Sequence, residues 1–361
     1  MRLTLHIGLG KTGTSSLQAF LEHEGTFLKK HSLAYTGINL LRLGEAFHLK
    51  NQGQVNNDAD LEQAIRTIEQ AAGKMTGVDE LIWSNESLSM GFSRGEIAPK
   101  IHALLKDSKI ISDVKVIMVV RRQDDWIESA YRQWALRHKL NRSARILSPM
   151  EFKTTVEKTM DYEALFQSWS VFGEEAVTLV PYDEARAGRG IVDYFCKTYG
   201  MSYEDRFDDY DEVNPSLGVS QSYFIGVYAS GFSRPVMPQE FEGLIKRYKL
   251  PELAPKNAAF YSNAQREGIL EEYQARNTRL AQRLFGREEL FPDTKTRNVI
   301  AYETGSEDAA TYFAIICKQQ QALINRQNKR LADIEFILDT ILDDGLSQDK
   351  TVRQQLRERL K

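Results

Sequence analysis

The chain has 361 residues, of which 42% are hydrophobic and 27% are charged. These proportions are typical of a soluble globular protein, and the length predicts a sizeable core with an appendage, or two domains. The formal net charge of −3 excludes the basic excess on which general nucleic-acid binding depends, so no nucleic-acid partner is expected.

The cysteines and the hydropathy of the chain bear on its compartment. Cys196 and Cys317 are the only cysteines, and without metal-ligand spacing or a disulfide framework they favour a reducing compartment. The first residues, MRLTLHIGLG, contain no apolar stretch long enough for a signal peptide. No run of about 18 apolar residues predicts a membrane span. We therefore expect a cytoplasmic protein.

The first half of the chain alternates predicted strands with predicted helices. Apolar strands are predicted at residues 3–7, 32–35, 80–84, 114–120 and 176–180. Helical spacing of apolar residues follows the first strand, recurs at residues 61–72 and follows the fourth strand. This alternation predicts an α/β fold with a central parallel sheet and flanking helices, in which polar clusters after the strands converge at one edge.

The second half of the chain has a different pattern of apolar residues. From about residue 203 the pattern is helical, which predicts a core over residues 1–200, a mostly helical part over 201–295 and a helical extension over 296–361. The extension carries an amphipathic stripe formed by Ile324, Leu331, Ile334, Leu338 and Ile341. Two interpretations stay open: a terminal helix packed on its own domain, or a helix that forms a homodimer.

The segment GLGKTGTSS at residues 8–16 lies between the first strand and the first helix, where phosphate-binding loops occur. Residues 8–13 match the G-x-G-x-x-G dinucleotide fingerprint, but the next strand ends without the acidic residue which that fingerprint needs about 20 positions later. Residues 10–12 match the end of a Walker A loop, but the chain has Leu5 where that loop needs a glycine.

A third template fits throughout. HIGLGKTGTSSLQ at residues 6–18 resembles the 5′-phosphosulfate loop of sulfotransferases that use 3′-phosphoadenosine 5′-phosphosulfate (PAPS). Glycines let backbone N–H groups approach a phosphate, and the N-terminus of the following helix presents unpaired donors. The resemblance implies phosphosulfate binding by Gly10, Lys11, Thr12, Gly13, Thr14, Ser15 and Ser16. Lys11 would also stabilise the charge that develops on the leaving group.

A second segment resembles another motif of the same family. VVRRQDDWIESAYRQ at residues 119–133 places Ser129 eight residues after Arg121, and the resemblance implies that these two side chains grip the 3′-phosphate. The planar guanidinium suits phosphate oxygens. Tyr182 resembles a family tyrosine beside the adenine, although packing of an edge-strand aromatic stays equally open. Arg122 stands where many relatives carry aspartate, and its role stays open.

Transfer to a hydroxyl group needs a general base, for which two residues are candidates. Glu86 follows the third strand, where relatives place a catalytic side chain, and His48 lies after the second strand. Glu86 could instead cap the next helix, and His48 could simply be packed. Trp83, Tyr131, Trp134 and Arg137 are candidates for the wall of an acceptor site.

The resemblance implies a P-loop-like sulfotransferase fold with a helical acceptor-binding part. It further implies a bacterial-type enzyme that uses PAPS, releases 3′,5′-adenosine bisphosphate, requires no metal and sulfates a carbohydrate or a small hydroxylated metabolite. Two alternatives stay open. One is a P-loop kinase acting on a nucleotide or metabolite, and the other is a non-catalytic nucleotide-binding scaffold.

Overall fold

A computed structural model of the chain describes residues 1–43, 55, 57–90, 94–137, 145–210, 217–232, 238–292, 298–303, 306–343 and 354. Among these residues no helix combines the length and the apolar character that crossing a bilayer requires.

The centre of the fold is a five-stranded sheet in which every neighbouring pair is parallel. Its strands are β1 (Arg2–His6), β2 (Leu33–Tyr35), β3 (Glu80–Ser84), β4 (Asp113–Val120) and β5 (Val177–Pro181). The order across the sheet is β2-β3-β1-β4-β5. The five predicted strands, the parallel sheet and the α/β class are therefore confirmed.

Fourteen α-helices are found in the described residues. They are α1 (Thr14–His23), α2 (Gly25–Lys30), α3 (Asp58–Ala72), α4 (Ser87–Met90), α5 (Arg94–Leu105), α6 (Gln123–Ala130), α7 (Pro149–Val156), α8 (Tyr162–Trp169), α9 (Tyr182–Arg186), α10 (Ile191–Thr198), α11 (Val219–Ser230), α12 (Pro238–Tyr248), α13 (Asn263–Phe285) and α14 (Ser306–Asp343). A π-helical segment, Tyr131–Arg137, continues α6, and two short strands, β6 (Ala258–Ala259) and β7 (Ile300–Ala301), pair beside α13.

Apolar side chains cover both faces of the sheet. In β4, Val116 and Met118 pack into the cluster formed with α3, α5, α6 and α8. Ile117 and Val119 pack on the opposite face with α1 and α10. A strand buried on both faces has no polar side to expose, which explains the unbroken apolar run of this strand in the sequence. Each aliphatic side chain fully buried here stabilises the fold by about 1.5–3 kcal/mol.

The position of β1 decides where a ligand can enter. The chain leaves β1 through α1 towards β2 on one side, whereas β4 and β5 extend the sheet on the other side. The two directions leave a crevice at the carboxyl end of β1, which is the usual ligand site of open parallel sheets. The segment at residues 8–16 lies there.

The long helix α14 behaves differently along its length. Ala309 and Tyr312 are buried against α11 and α12, and the Gln319 amide donates a hydrogen bond to the Tyr248 carbonyl at 3.0 Å. From residue 321 to residue 337 every side chain is exposed. Packing on the described helices therefore accounts for the beginning of α14 but not for its exposed second half.

Candidate functional site

The loop between β1 and α1 has a backbone shape that its own residues hold. Lys11 and Gly13 have φ values of 74° and 77°, in the left-handed region, which turns the chain sharply. The Thr12 hydroxyl donates to the Leu9 carbonyl at 2.5 Å, and the Trp126 indole N–H donates to the Gly10 carbonyl at 2.9 Å. The Leu9 and Gly10 carbonyls thus have hydrogen-bond partners within the protein, and the Trp126 side chain of α6 holds the loop in place.

Helix α1 begins directly after this loop with Thr14. Its N-cap residue is Gly13, and no side chain caps it. The first N–H groups of a helix have no partner within the helix, and they add to the positive end of its dipole. The end of the loop therefore offers backbone donors to an anion at the carboxyl edge of the sheet.

Two glycines let other side chains approach the loop closely. A Cβ at Gly10 would lie 2.8 Å from the Trp134 ring and 2.9 Å from Glu86 Oε2, and one at Gly13 would lie 2.9 Å from the Tyr182 ring. Contacts this short are essentially never seen for real Cβ atoms, so a side chain at either position would displace these groups. The glycines thus bring Trp134, Glu86 and Tyr182 against the loop.

Arg121 joins the second sequence motif to the first. It follows β4, and its Nη1 donates to the Lys11 carbonyl at 3.4 Å. Its guanidinium carbon lies 5.6 Å from the centre of the Tyr182 ring, a cation–π distance. Its Nε is buried and has no hydrogen-bond partner among the described residues. Ser129 lies on α6 with a half-buried side chain.

Arg122 points to a different environment. Its Nε donates to Asp124 Oδ1 at 2.6 Å, and Arg266 of α13 contacts Asp124 at 2.7 Å and Asp125 at 2.5 Å. All four side chains are buried. Burial opposes ionisation of Asp125, but the positive charges of Arg266, Arg121 and Arg122 outweigh this effect and lower its pKa. This network gives Arg122 a structural role, because its ion pair with Asp124 anchors the β4–α6 turn beneath Arg121.

Glu86 faces the loop. Its carboxylate accepts a hydrogen bond from the Thr14 hydroxyl. Burial raises the pKa of Glu86, while the Thr14 hydrogen bond and the positive charge of Lys11 oppose that rise. Asn85 Oδ1 accepts from the Ser87 N–H, the first N–H of α4, at 3.0 Å. The Glu86 carboxylate instead faces Thr14 across the loop.

A buried histidine lies beneath the same loop. His6 Nδ1 is 2.7 Å from Ser84 Oγ, and Gln18 of α1 donates to the same oxygen at 3.2 Å. A Cβ at Gly8 would lie 3.0 Å from His6 Nε2. Burial lowers the pKa of His6 to about 4. A neutral imidazole therefore supports the base of the loop.

The structure brings together most of the residues that the sequence selected. The loop residues 10–16, Glu86, Arg121 and Tyr182 meet at one edge of the sheet. Thr12 and Thr14 use their hydroxyls within the protein, whereas Ser15 is exposed and Ser16 is half-buried. His48 and the Arg137 side chain lie outside the described residues.

Two of the residues suggested for an acceptor wall are corrected by the structure. Trp83 and Tyr131 are fully buried; the Trp83 indole donates to the Ile38 carbonyl, and the Tyr131 hydroxyl donates to the Leu147 carbonyl. Both side chains are packed in the core, because the buried strand β3 and the helix behind it need large apolar groups. Trp134 is only partly buried and lies against Gly10, so it remains a wall candidate.

Sequence reasoning missed the supporting residues. Nothing in the local pattern links Trp126 to Gly10 or Arg266 to Asp124. The only signal was the position of Trp126 within the second motif. Among the described residues no group of three His, Cys, Asp or Glu side chains is arranged to hold a metal ion.

No family model matches the chain, and no curated protein matches its sequence. Among solved structures, the chain is similar to a sulfotransferase from Alicyclobacillus acidocaldarius, with 14% sequence identity and a TM-score of 0.36. The match covers 74% of this chain and 95% of that protein. At this identity and TM-score the similarity carries no argument about activity.

Proposed function

We propose that the chain is a sulfotransferase that moves the sulfuryl group of PAPS to a hydroxyl of a carbohydrate or small metabolite. The observation that carries the proposal is the meeting of two motifs, 110 residues apart, where Arg121 Nη1 donates to the Lys11 carbonyl. A glycine-rich loop, a helix N-terminus, an ammonium and a guanidinium then surround one crevice. This combination suits a nucleotide with phosphate groups at both ends.

The residues present fit such a nucleotide. Arg121 Nε is a buried donor without a hydrogen-bond partner among the described residues, and an unsatisfied buried donor costs about 1–3 kcal/mol unless a ligand accepts from it. The uncapped start of α1 offers further donors. The Tyr182 ring, which lies between Gly13 and Arg121, provides a flat apolar face for a base.

Each residue then has a role in binding. The amides of residues 10–16, with the hydroxyls of Ser15 and Ser16, would hold the 5′-phosphosulfate, and Lys11 would stabilise the charge that develops on its bridging oxygen. Arg121 and Ser129 would hold the 3′-phosphate. PAPS, when bound, supplies the sulfuryl group for an in-line displacement, a reaction in which positioning and charge stabilisation provide most of the rate.

Glu86 is the proposed general base. It lies against Gly10, where the sulfuryl group would meet the acceptor, and its raised pKa makes it a better proton acceptor than an exposed carboxylate. Its hydrogen bond to Thr14 fixes the carboxylate. Trp134, beside the same glycine, would form one wall for the acceptor. His48 remains the alternative base.

Calorimetric titration with 3′,5′-adenosine bisphosphate in the presence of EDTA tests the donor site. We expect binding without metal, together with an upward shift of the melting temperature. Binding of ATP that depends on Mg²⁺, with no binding of the bisphosphate, would support the kinase alternative and overturn the proposal.

A second assay tests transfer. PAPS labelled with ³⁵S is incubated with the protein and a panel of sugars, glycans and phenols, and labelled products are separated by chromatography. Labelled product is expected with at least one hydroxyl acceptor. Bisphosphate binding without transfer to any member of a broad panel would favour the non-catalytic scaffold.

A further inference from the structure

The second half of α14 is an apolar surface that the rest of the described chain does not cover. We call residues 321–343 the distal helix. Its exposed large apolar side chains are Leu323 (49%), Ile324 (44%), Leu331 (58%), Ile334 (52%), Phe336 (74%) and Ile337 (55%). All of α14 spans 38 residues, about 57 Å at 1.5 Å per residue, so the distal helix extends well beyond the part that packs on α11 and α12.

A helix with solvent on every side is normally polar all round. It also needs tertiary contacts, because most of the stability of helices in proteins comes from packing of an amphipathic face. The distal helix is not polar all round, since large aliphatic side chains recur along it, and the described residues leave those side chains exposed. A partner that buries these side chains would resolve both contradictions.

The spacing of the apolar residues specifies the geometry of that partner. With Ile324, Leu331 and Leu338 at heptad position a, position d falls on Gln327, Ile334 and Ile341. Five of these six positions are apolar. A seam repeating every 3.5 residues packs against another helix that carries the same repeat, in a left-handed coiled coil.

The charges beside the seam favour the same chain as partner. Arg330 falls at position g and Glu335 at the next position e. In a parallel, in-register coiled coil, position g of one helix lies beside the following position e of its neighbour. Arg330 of each copy would therefore meet Glu335 of the next, and a repeated copy satisfies every such pair.

We propose that the distal helix binds the same surface of further copies of this chain in a parallel, in-register coiled coil. Leucine at a with isoleucine at d, as in Leu331 and Ile334, favours three or four helices over two. Ile337 at g widens the apolar seam in the same sense. This proposal does not depend on the sulfotransferase activity.

Sedimentation equilibrium of the full-length protein measures the association. We expect a mass of at least two chains, and of three or four from the residues of the seam. Ile334→Lys should reduce the mass to one chain. The matched control, Ala332→Lys, places the same charge on the outer side of the helix and should leave the mass unchanged.

Charge exchange tests the register. Arg330→Glu and Glu335→Arg should each weaken association at least tenfold, and the double variant should recover most of the loss. In a Cys317→Ser background, Leu331→Cys should form an interchain disulfide with oxidised glutathione as the oxidant. A one-chain mass for the unmodified protein at 100 µM, or equal masses for the Ile334 and Ala332 variants, would overturn the proposal. A one-chain mass is the result expected if the occupant of the seam is residues 344–361 of the same chain and not a second copy.

Discussion

The buried imidazole beneath the loop makes the stability of this protein depend on pH in a calculable way. Burial lowers the pKa of His6 from 6.5 to about 4, because a cation there would lose its hydration. Its Nδ1 faces Ser84 Oγ, and its Nε2 has no hydrogen-bond partner among the described residues. Between these two pKa values the unfolded chain binds a proton that the folded protein does not.

The sign and the size of the effect follow from linkage. The stability that follows from the lowered pKa of His6 is fully present above the unfolded pKa of 6.5. It is lost as the pH falls towards the folded pKa of about 4. Integration from pH 7.5 to pH 5 gives a loss of about 2 kcal/mol in the free energy of unfolding. This window lies above the range in which most carboxylates titrate.

Urea unfolding, followed by circular dichroism at pH 7.5 and pH 5, measures this loss. In His6→Gln the loss between the two pH values should shrink by about 2 kcal/mol, whatever the substitution costs at neutral pH. The same substitution at exposed His31 is the matched control and should keep the pH dependence of the unmodified protein. If His6→Gln and His31→Gln show the same pH dependence, the imidazole is not held neutral by burial.

Four substitutions test the proposed site. Lys11→Ala should lower transfer of labelled sulfate by about 10²–10³-fold with an unchanged circular dichroism spectrum, and unchanged turnover would remove the lysine from the mechanism. Arg121→Ala should weaken binding of 3′,5′-adenosine bisphosphate by about 10- to 100-fold but that of adenosine 5′-phosphate little; equal calorimetric losses would contradict the 3′-phosphate role. Glu86→Gln should lower kcat by about 10²–10⁴-fold. It should also abolish the acidic limb of the pH–rate profile, where the rate of the unmodified enzyme rises as the Glu86 carboxyl loses its proton at a pH above the ordinary pKa of a glutamate. A near-normal rate would transfer the base to His48. Gly13→Ala should cost about 1–2 kcal/mol of unfolding free energy for its left-handed φ and weaken bisphosphate binding, while Gly25→Ala, in open space, should do neither; equal stabilities of the two variants would contradict the left-handed backbone of Gly13.

The fold class was accessible from sequence because its signals are local. The apolar run of β4 and the glycine-rich segment after β1 arise from neighbouring residues, and the five predicted strands appear within about two residues of their positions. A helix after the fourth strand was predicted, but its change to a π-helix at Tyr131 was not. Hydrophobic period gives the type of an element more readily than its hydrogen-bond pattern.

The site was accessible only in part. The motifs named Lys11, Arg121 and Tyr182 as candidates, and the structure brings them together. The two arginines at the end of β4 looked equivalent in the sequence, yet one faces the loop and the other joins a buried ion network. That difference depends on Arg266, 141 residues after Asp125, and no local pattern encodes so distant a partner.

The sequence by itself determined the elements, the loop and the amphipathic stripe of the last helix, since each depends on the spacing of residues close in the chain. Only the tertiary structure decided the strand order, the burial of His6, Trp83 and Tyr131, and the contact of Glu86 with the loop. Burial and charge environment are sums over residues far apart in the chain. The burial and the charge environment of a residue are therefore set only once the strands have assembled side by side.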